Sequence, residues 1–202
     1  MKSLRVGALL FPGFELLDIY GPLEMFGMLG RVTDMQVEIV MLAERAGIVA
    51  SAQGPGGVAD VDFPEAGACD VLLVPGGPGA RREVDNPALL EALRGQVERS
   101  RLVASICTGA ALLARAGLLD GLRATSNKAA FDWVRSQGPC VTWVREARWV
   151  RDGRIYTSSG VSAGMDMTLG LIAEEFGRDL SLRVARRAEY LWNEDAGADP
   201  FA

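Results

Sequence analysis

Four short apolar runs fix what this chain can become: "LRVGALLF" at 4–11, "VEIVMLA" at 37–43, "DVLLVPGG" at 70–77 and "LVASIC" at 102–107. A strand wetted on one side alternates polar and apolar residues, whereas a strand covered on both faces reads as a nearly continuous apolar run. The four runs are of the second kind. Helical patterns lie between them, over Phe14–Met28, Pro87–Arg99 and Thr108–Ala116. Alternating strands and helices predict an α/β fold: a three-layer sandwich with a mostly parallel central sheet and helices on both faces.

The later half is mixed. "VTWVREARWVRDGRIYTSSG", 141–160, has alternating apolar positions on each side of Asp152-Gly153, which predicts a small β-hairpin. Ser162 reads as the N-cap of a helix over Ala163–Phe176, with Asp166 in its first turn favoured by the helix dipole. Asp179 opens a further helix to about Trp192. The polar tail "NEDAGADPFA", 193–202, is expected to be frayed or laid over a neighbouring surface. Residues 1–192 read as a single domain, because no linker-like or charge-block segment divides them. Trp133, Trp143, Trp149 and Trp192 read as core or interface residues.

The 202 residues are 49% hydrophobic with a formal net charge of -5, which argues against nucleic acid or an anionic membrane as partner. The basic, apolar start is interrupted by Pro12 and followed by Glu15 and Asp18, unlike a leader peptide. No apolar stretch reaches the roughly 20 residues of a membrane span. Cys69, Cys107 and Cys140 form neither a metal spacing nor a disulfide framework, so a reduced, cytoplasmic protein without metal is expected.

Open parallel sheets bind ligands at the carboxyl ends of their strands. Three chemistry-bearing segments are expected there: Pro12-Gly13 with the helix carrying Asp18, the loop Gly76-Gly77-Pro78-Gly79, and Cys107-Thr108-Gly109. Cys107 stands where an apolar run turns into a helix, and a helix N-terminus favours thiolate. The usual partner of such a cysteine is histidine, and the chain contains none. Asp18, in "ELLDIYGP", is the alternative: a carboxyl among apolar neighbours has a raised pKa and can donate a hydrogen bond to a thiolate. The N–H groups of Gly77 and Thr108 could form an oxyanion hole beside Cys107. Cys69 and Cys140 read as small buried hydrophobes.

With these residues in view, "FPGFELLDIYGPLEMF", "DVLLVPGGPGA", "SICTGAALLARAGLLDGLRATSN" and "VRDGRIYTSSGVSAGMDMTLGLI" together resemble the ThiJ/PfpI superfamily, from about Arg5 to Arg187. The resemblance implies a flavodoxin-like fold related to class I glutamine amidotransferase domains, a homodimer, and no metal or organic cofactor. It is nearest to the isonitrile hydratase branch, whose catalytic aspartate in "LD…GP" and cysteine in "CTG" map to Asp18 and Cys107. The protease-like branch has a histidine directly after the cysteine; Thr108 stands there instead. Isonitrile hydratases commonly have histidine after "RATT", and "RATSNK" puts Asn127 at that place. Regulators that fuse this domain to DNA-binding helices are a poor match for a chain ending at Ala202.

The expected activity is therefore hydration of a small isocyanide to an N-substituted formamide. Cys107 is the expected nucleophile and Asp18 the proton shuttle. Thr108 is expected to orient the thiolate or water, with Gly76 and Asn127 against substrate. Two alternatives stand beside it: a redox- or electrophile-sensing protein using Cys107, and glyoxalase or deglycase activity on α-oxoaldehydes.

Overall fold

The computed structural model describes residues 3–202; Met1 and Lys2, at the start of the segment weighed as a leader, lie outside it. The strands are β1 (Ser3–Leu9), β2 (Gln36–Ala43), β3 (Gly47–Ala50), β4 (Gly56–Ala59), β5 (Val61–Asp62), β6 (Val71–Val74), β7 (Leu102–Ser105), β8 (Arg123–Ala124), β9 (Thr142–Trp143), β10 (Trp149–Asp152) and β11 (Ile155–Ser158). The helices are α1 (Leu16–Val32), α2 (Ala80–Glu83), α3 (Pro87–Arg99), α4 (Gly109–Arg115), α5 (Phe131–Gln137), α6 (Ala163–Phe176) and α7 (Arg178–Arg187).

The main sheet has the order β10-β11-β7-β6-β1-β2-β5 and is parallel except for the β10–β11 hairpin at one edge. Helices α1, α6 and α7 pack together in one layer, while α2, α3, α4 and α5 form another. All four residues of β6 and of β7 are buried, as strands covered on both faces must be. The hairpin expected around Asp152-Gly153 therefore extends the main sheet. The separate antiparallel ribbon is β3–β4, which the apolar pattern did not announce.

The order of strand addition reverses at β1: β2 is added on one side, and β6 and β7 on the other. Because β1, β6 and β7 are parallel, their carboxyl ends share one edge. The segments carrying Asp18, Gly76-Gly77 and Cys107 leave the sheet there, at its topological switch point.

The carboxyl-terminal part refines several expectations. Asp166 lies in the first turn of α6, as expected, and is in addition buried and paired with buried Arg148, Nε to Oδ2 at 2.7 Å and Nη2 to Oδ2 at 2.5 Å. Its Oδ1 also accepts from Tyr190 Oη at 3.0 Å and Asn193 N at 2.9 Å. Ser162 makes no side-chain cap bond. Of the two forms expected for the tail, it takes the second, laid over a surface rather than frayed: Arg148 N donates to Ala196 O at 2.9 Å and Asp199 N to Glu146 O at 2.7 Å. Asp199 brings a second carboxylate to Arg148, 3.6 Å from Nη1. The helix expected to reach Trp192 ends at Arg187, since the chain then turns to reach Asp166.

Candidate active site

Cys107 follows β7 directly and has φ +57°, a left-handed conformation that a side-chain-bearing residue adopts at a cost of about 1–3 kcal/mol. Its surroundings hold it there. Cys107 N donates to Ser159 O at 3.2 Å, and Ser126 Oγ donates to Cys107 O at 2.8 Å. Gly109 lets the turn close, because a Cβ at that position would meet Val74 O and Pro75 O. The geometry is that of a strand-to-helix elbow presenting its side chain at the sheet edge.

The thiol is buried, and polar donors surround it. The N–H groups of Val161 and Thr108 and the Asn127 side-chain amide lie near Sγ and favour thiolate. Asn127 Oδ1 accepts from Ala130 N at 2.9 Å, which fixes the orientation of its side-chain amide. Lys128 fixes the same loop by donating to Thr125 Oγ1 at 2.9 Å and Ala147 O at 2.6 Å.

These donors do not leave the thiol acidic, contrary to the expectation from the helix N-terminus. Burial pushes the Cys107 thiol up to about 12, and the neighbouring Asp18 carboxylate adds to the rise. A helix end contributes roughly 0.3–1 kcal/mol, less than one pKa unit, whereas full burial shifts a group by as much as about 3–5 units. Burial wins.

Asp18, in the first turn of α1, is fully buried with its carboxyl against the Cys107 thiol. Oδ2 accepts the Gly76 N–H at 2.8 Å. Burial raises the carboxyl from 3.8 to about 8, with the charge of Glu15 adding and the Gly76 and Cys107 hydrogen bonds opposing. Near neutrality the pair thus holds a proton on each partner. The first to leave comes off near 8, and the single charge that remains belongs to the pair rather than to either residue.

The glycine loop docks against this pair without room for side chains. A Cβ at Gly76 would collide with Thr108 N and Oγ1, and one at Gly79 with Pro12 O. The Gly77 N–H, expected in an oxyanion hole, is engaged instead: it donates to Thr108 Oγ1 at 2.9 Å. The N–H groups directed at the sulfur are those of Thr108 and Val161.

Above Cys107 lies a cavity of about 270 Å³, lined among others by Glu15, Pro78, Thr108, Asn127 and Val161. Trp133 and Arg81 stand in its wall, the guanidinium carbon 4.3 Å from the Trp133 ring centre. Sequence reasoning missed Arg81 and Val161 and read Trp133 as a core or interface residue. Cys69 is buried, as expected, but Cys140 is exposed. Among the described residues no group of cysteine and carboxylate side chains could hold a metal ion, and no helix is long and apolar enough to cross a membrane.

Comparison with known proteins agrees with this architecture. The DJ-1/PfpI family model matches residues 4–174. The isonitrile hydratase of Pseudomonas putida is 35% identical over 98% of this chain and 82% of its own length. The HTH-type transcriptional regulator GbdR of Pseudomonas aeruginosa is 30% identical over 92% of this chain, which spans half of that regulator. The crystal structure of a ThiJ/PfpI family protein from Pseudomonas syringae superposes with a TM-score of 0.85 at 30% identity, covering 96% of this chain and 77% of that one. A chain with this sheet, this cysteine elbow and these relatives belongs to the DJ-1/PfpI family.

Proposed function

We propose that this protein is a cysteine-dependent hydratase of small isocyanides, giving N-substituted formamides. The observation that carries the reading is the buried Asp18 carboxyl set against the Cys107 thiol in a chain without histidine. The likeness to an isonitrile hydratase over nearly the whole chain is consistent with it.

The reactive form is the pair with one proton left, thiolate beside carboxylic acid. Sγ bonds to the terminal isocyanide carbon while Asp18 gives its proton to that same carbon, leaving a thioimidate and a carboxylate. Asp18 then takes a proton from water as the oxygen adds to the thioimidate carbon, and passes it to the substrate nitrogen. In the last step the hydroxyl proton returns to Asp18, the C–S bond breaks, and the formamide leaves with the thiolate and carboxylic acid restored. The N–H groups of Thr108 and Val161 and the Asn127 amide stabilise the departing sulfur. Thr108 Oγ1, which accepts from Gly77 N, fixes the glycine loop beside the cysteine turn.

Loss of the infrared isocyanide band on incubation with cyclohexyl isocyanide tests the reading. Turnover by the native protein, with at least about hundredfold loss in Cys107→Ala and Asp18→Asn, is expected. Decay no faster than in Cys107→Ala overturns it.

A further inference from the structure

Two adjacent arginines on α2 differ in one respect. Arg82 donates to Pro12 O at 2.8 Å and pairs with Glu83 at 2.9 Å. The Arg81 guanidinium makes no hydrogen bond or ion pair with any described residue, and rests only on the Trp133 ring. A guanidinium stacked on an aromatic face is held in orientation while its N–H fork stays free, the arrangement suited to bidentate capture of a carboxylate. That fork lies in the wall of the cavity that ends at Cys107.

We propose that Arg81 selects substrates bearing a carboxylate, so that the preferred molecule is a small isocyano carboxylate with its isocyanide on Cys107 and its carboxylate on Arg81. The cavity, about 270 Å³, falls below the range of drug-sized sites, in keeping with so small a ligand. The opposing charge on the rim is Glu15, whose Oε1 is engaged by Gln53 Nε2 at 2.5 Å. The isocyanide part rests on the function proposed above; anion selection at the thiol does not.

Two measurements separate the two. The first compares alkylation of Cys107 by iodoacetate and by iodoacetamide, read on the Cys107 peptide by mass spectrometry so that exposed Cys140 does not interfere. The rate ratio cancels any change in thiolate fraction. The ratio is expected to fall about tenfold in Arg81→Gln, equivalent to about 1.4 kcal/mol. It should fall less in Arg81→Lys, which keeps the charge but loses the stacked fork, and rise in Glu15→Gln. A ratio unchanged in Arg81→Gln, or lost equally in the glutamine and lysine variants, overturns the proposal.

The second compares kcat/KM for isocyanoacetate and its methyl ester, where the same tenfold fall in the acid-to-ester ratio is expected in Arg81→Gln. An unchanged ratio counts against Arg81. If the native protein turns over neither compound, the hydratase reading fails, and the alkylation ratio alone decides whether Arg81 selects anions.

Discussion

Gly76 gives its backbone N–H to Oδ2 of Asp18 at 2.8 Å, joining the glycine loop after β6 to the first turn of α1 across 58 residues of sequence. The bond accounts for two properties at once. It fixes one oxygen of the buried carboxyl while Oδ1 stays without a hydrogen-bond partner, and it requires the loop to approach so closely that position 76 has no space for a side chain.

Stability should depend on pH through Asp18. The unfolded carboxyl loses its proton near 3.8 and the folded one near 8, so the folded state holds the proton more tightly. The contribution is complete below 3.8 and declines as pH rises to about 8. Each pH unit in that window is worth at most about 1.4 kcal/mol. Urea unfolding at pH 5 and pH 8 should show the native protein losing a few kcal/mol more than Asp18→Asn; parallel losses would contradict it.

Cys107 reactivity should respond in the opposite sense to the same substitution. Asp18's charge raises the thiol, so Asp18→Asn should move the midpoint of Cys107 alkylation to lower pH while isocyanide turnover is lost. A midpoint that does not move would mean that the carboxyl does not act on the sulfur.

Glycine substitutions should sort by what a Cβ would touch. Gly76→Ala drives a methyl into Thr108 N and Oγ1 and should cost about 3 kcal/mol or more. Gly95→Ala, inside α3 with nothing within 4 Å of the added carbon, should stabilise by about 0.5–1 kcal/mol. Thermal melts of the two variants check both signs.

The Arg148–Asp166 pair should behave as a buried unit. Arg148→Leu strands the Asp166 and Asp199 carboxylates and should destabilise by about 3–5 kcal/mol, whereas adding Asp166→Leu should recover part of the loss. A double-mutant cycle with additive costs would show that the two side chains are independent.

The parts of this fold readable in the sequence are those whose pattern is set locally. The bounds of α3 and α6 match expectation because Asn86 caps α3 through Leu89 N and each helix carries several turns of apolar periodicity. Strands β6 and β7 are legible because burial on both faces removes every polar residue. The ribbon β3–β4 is not, since "GIVA" and "GGVA" are short, glycine-rich and leave Ile48 and Val58 exposed. Helix α5, two turns long, has too few positions to reveal a period.

In the site, the Cys107 elbow is visible as an apolar run meeting a helix, and Asp18 as a carboxyl among apolar neighbours. What no local pattern carries is pairing at a distance. Nothing near Asp166 points to Arg148, nothing near Arg81 points to Trp133, and nothing near Gly77 shows that Thr108 takes its N–H. The helix-end argument for a reactive thiolate failed for the same reason: desolvation depends on everything packed around Cys107, not on the five residues beside it.

The tail stands only a few hydrogen bonds from the nucleophile. Ala196 O accepts Arg148 N, Arg148 O accepts Ser159 N, and Ser159 O accepts Cys107 N. The left-handed turn at Cys107 is thus braced from the far end of the chain, and a protease that nicked the segment after Trp192 would blunt the reactivity of the thiol while the seven-stranded sheet stayed whole.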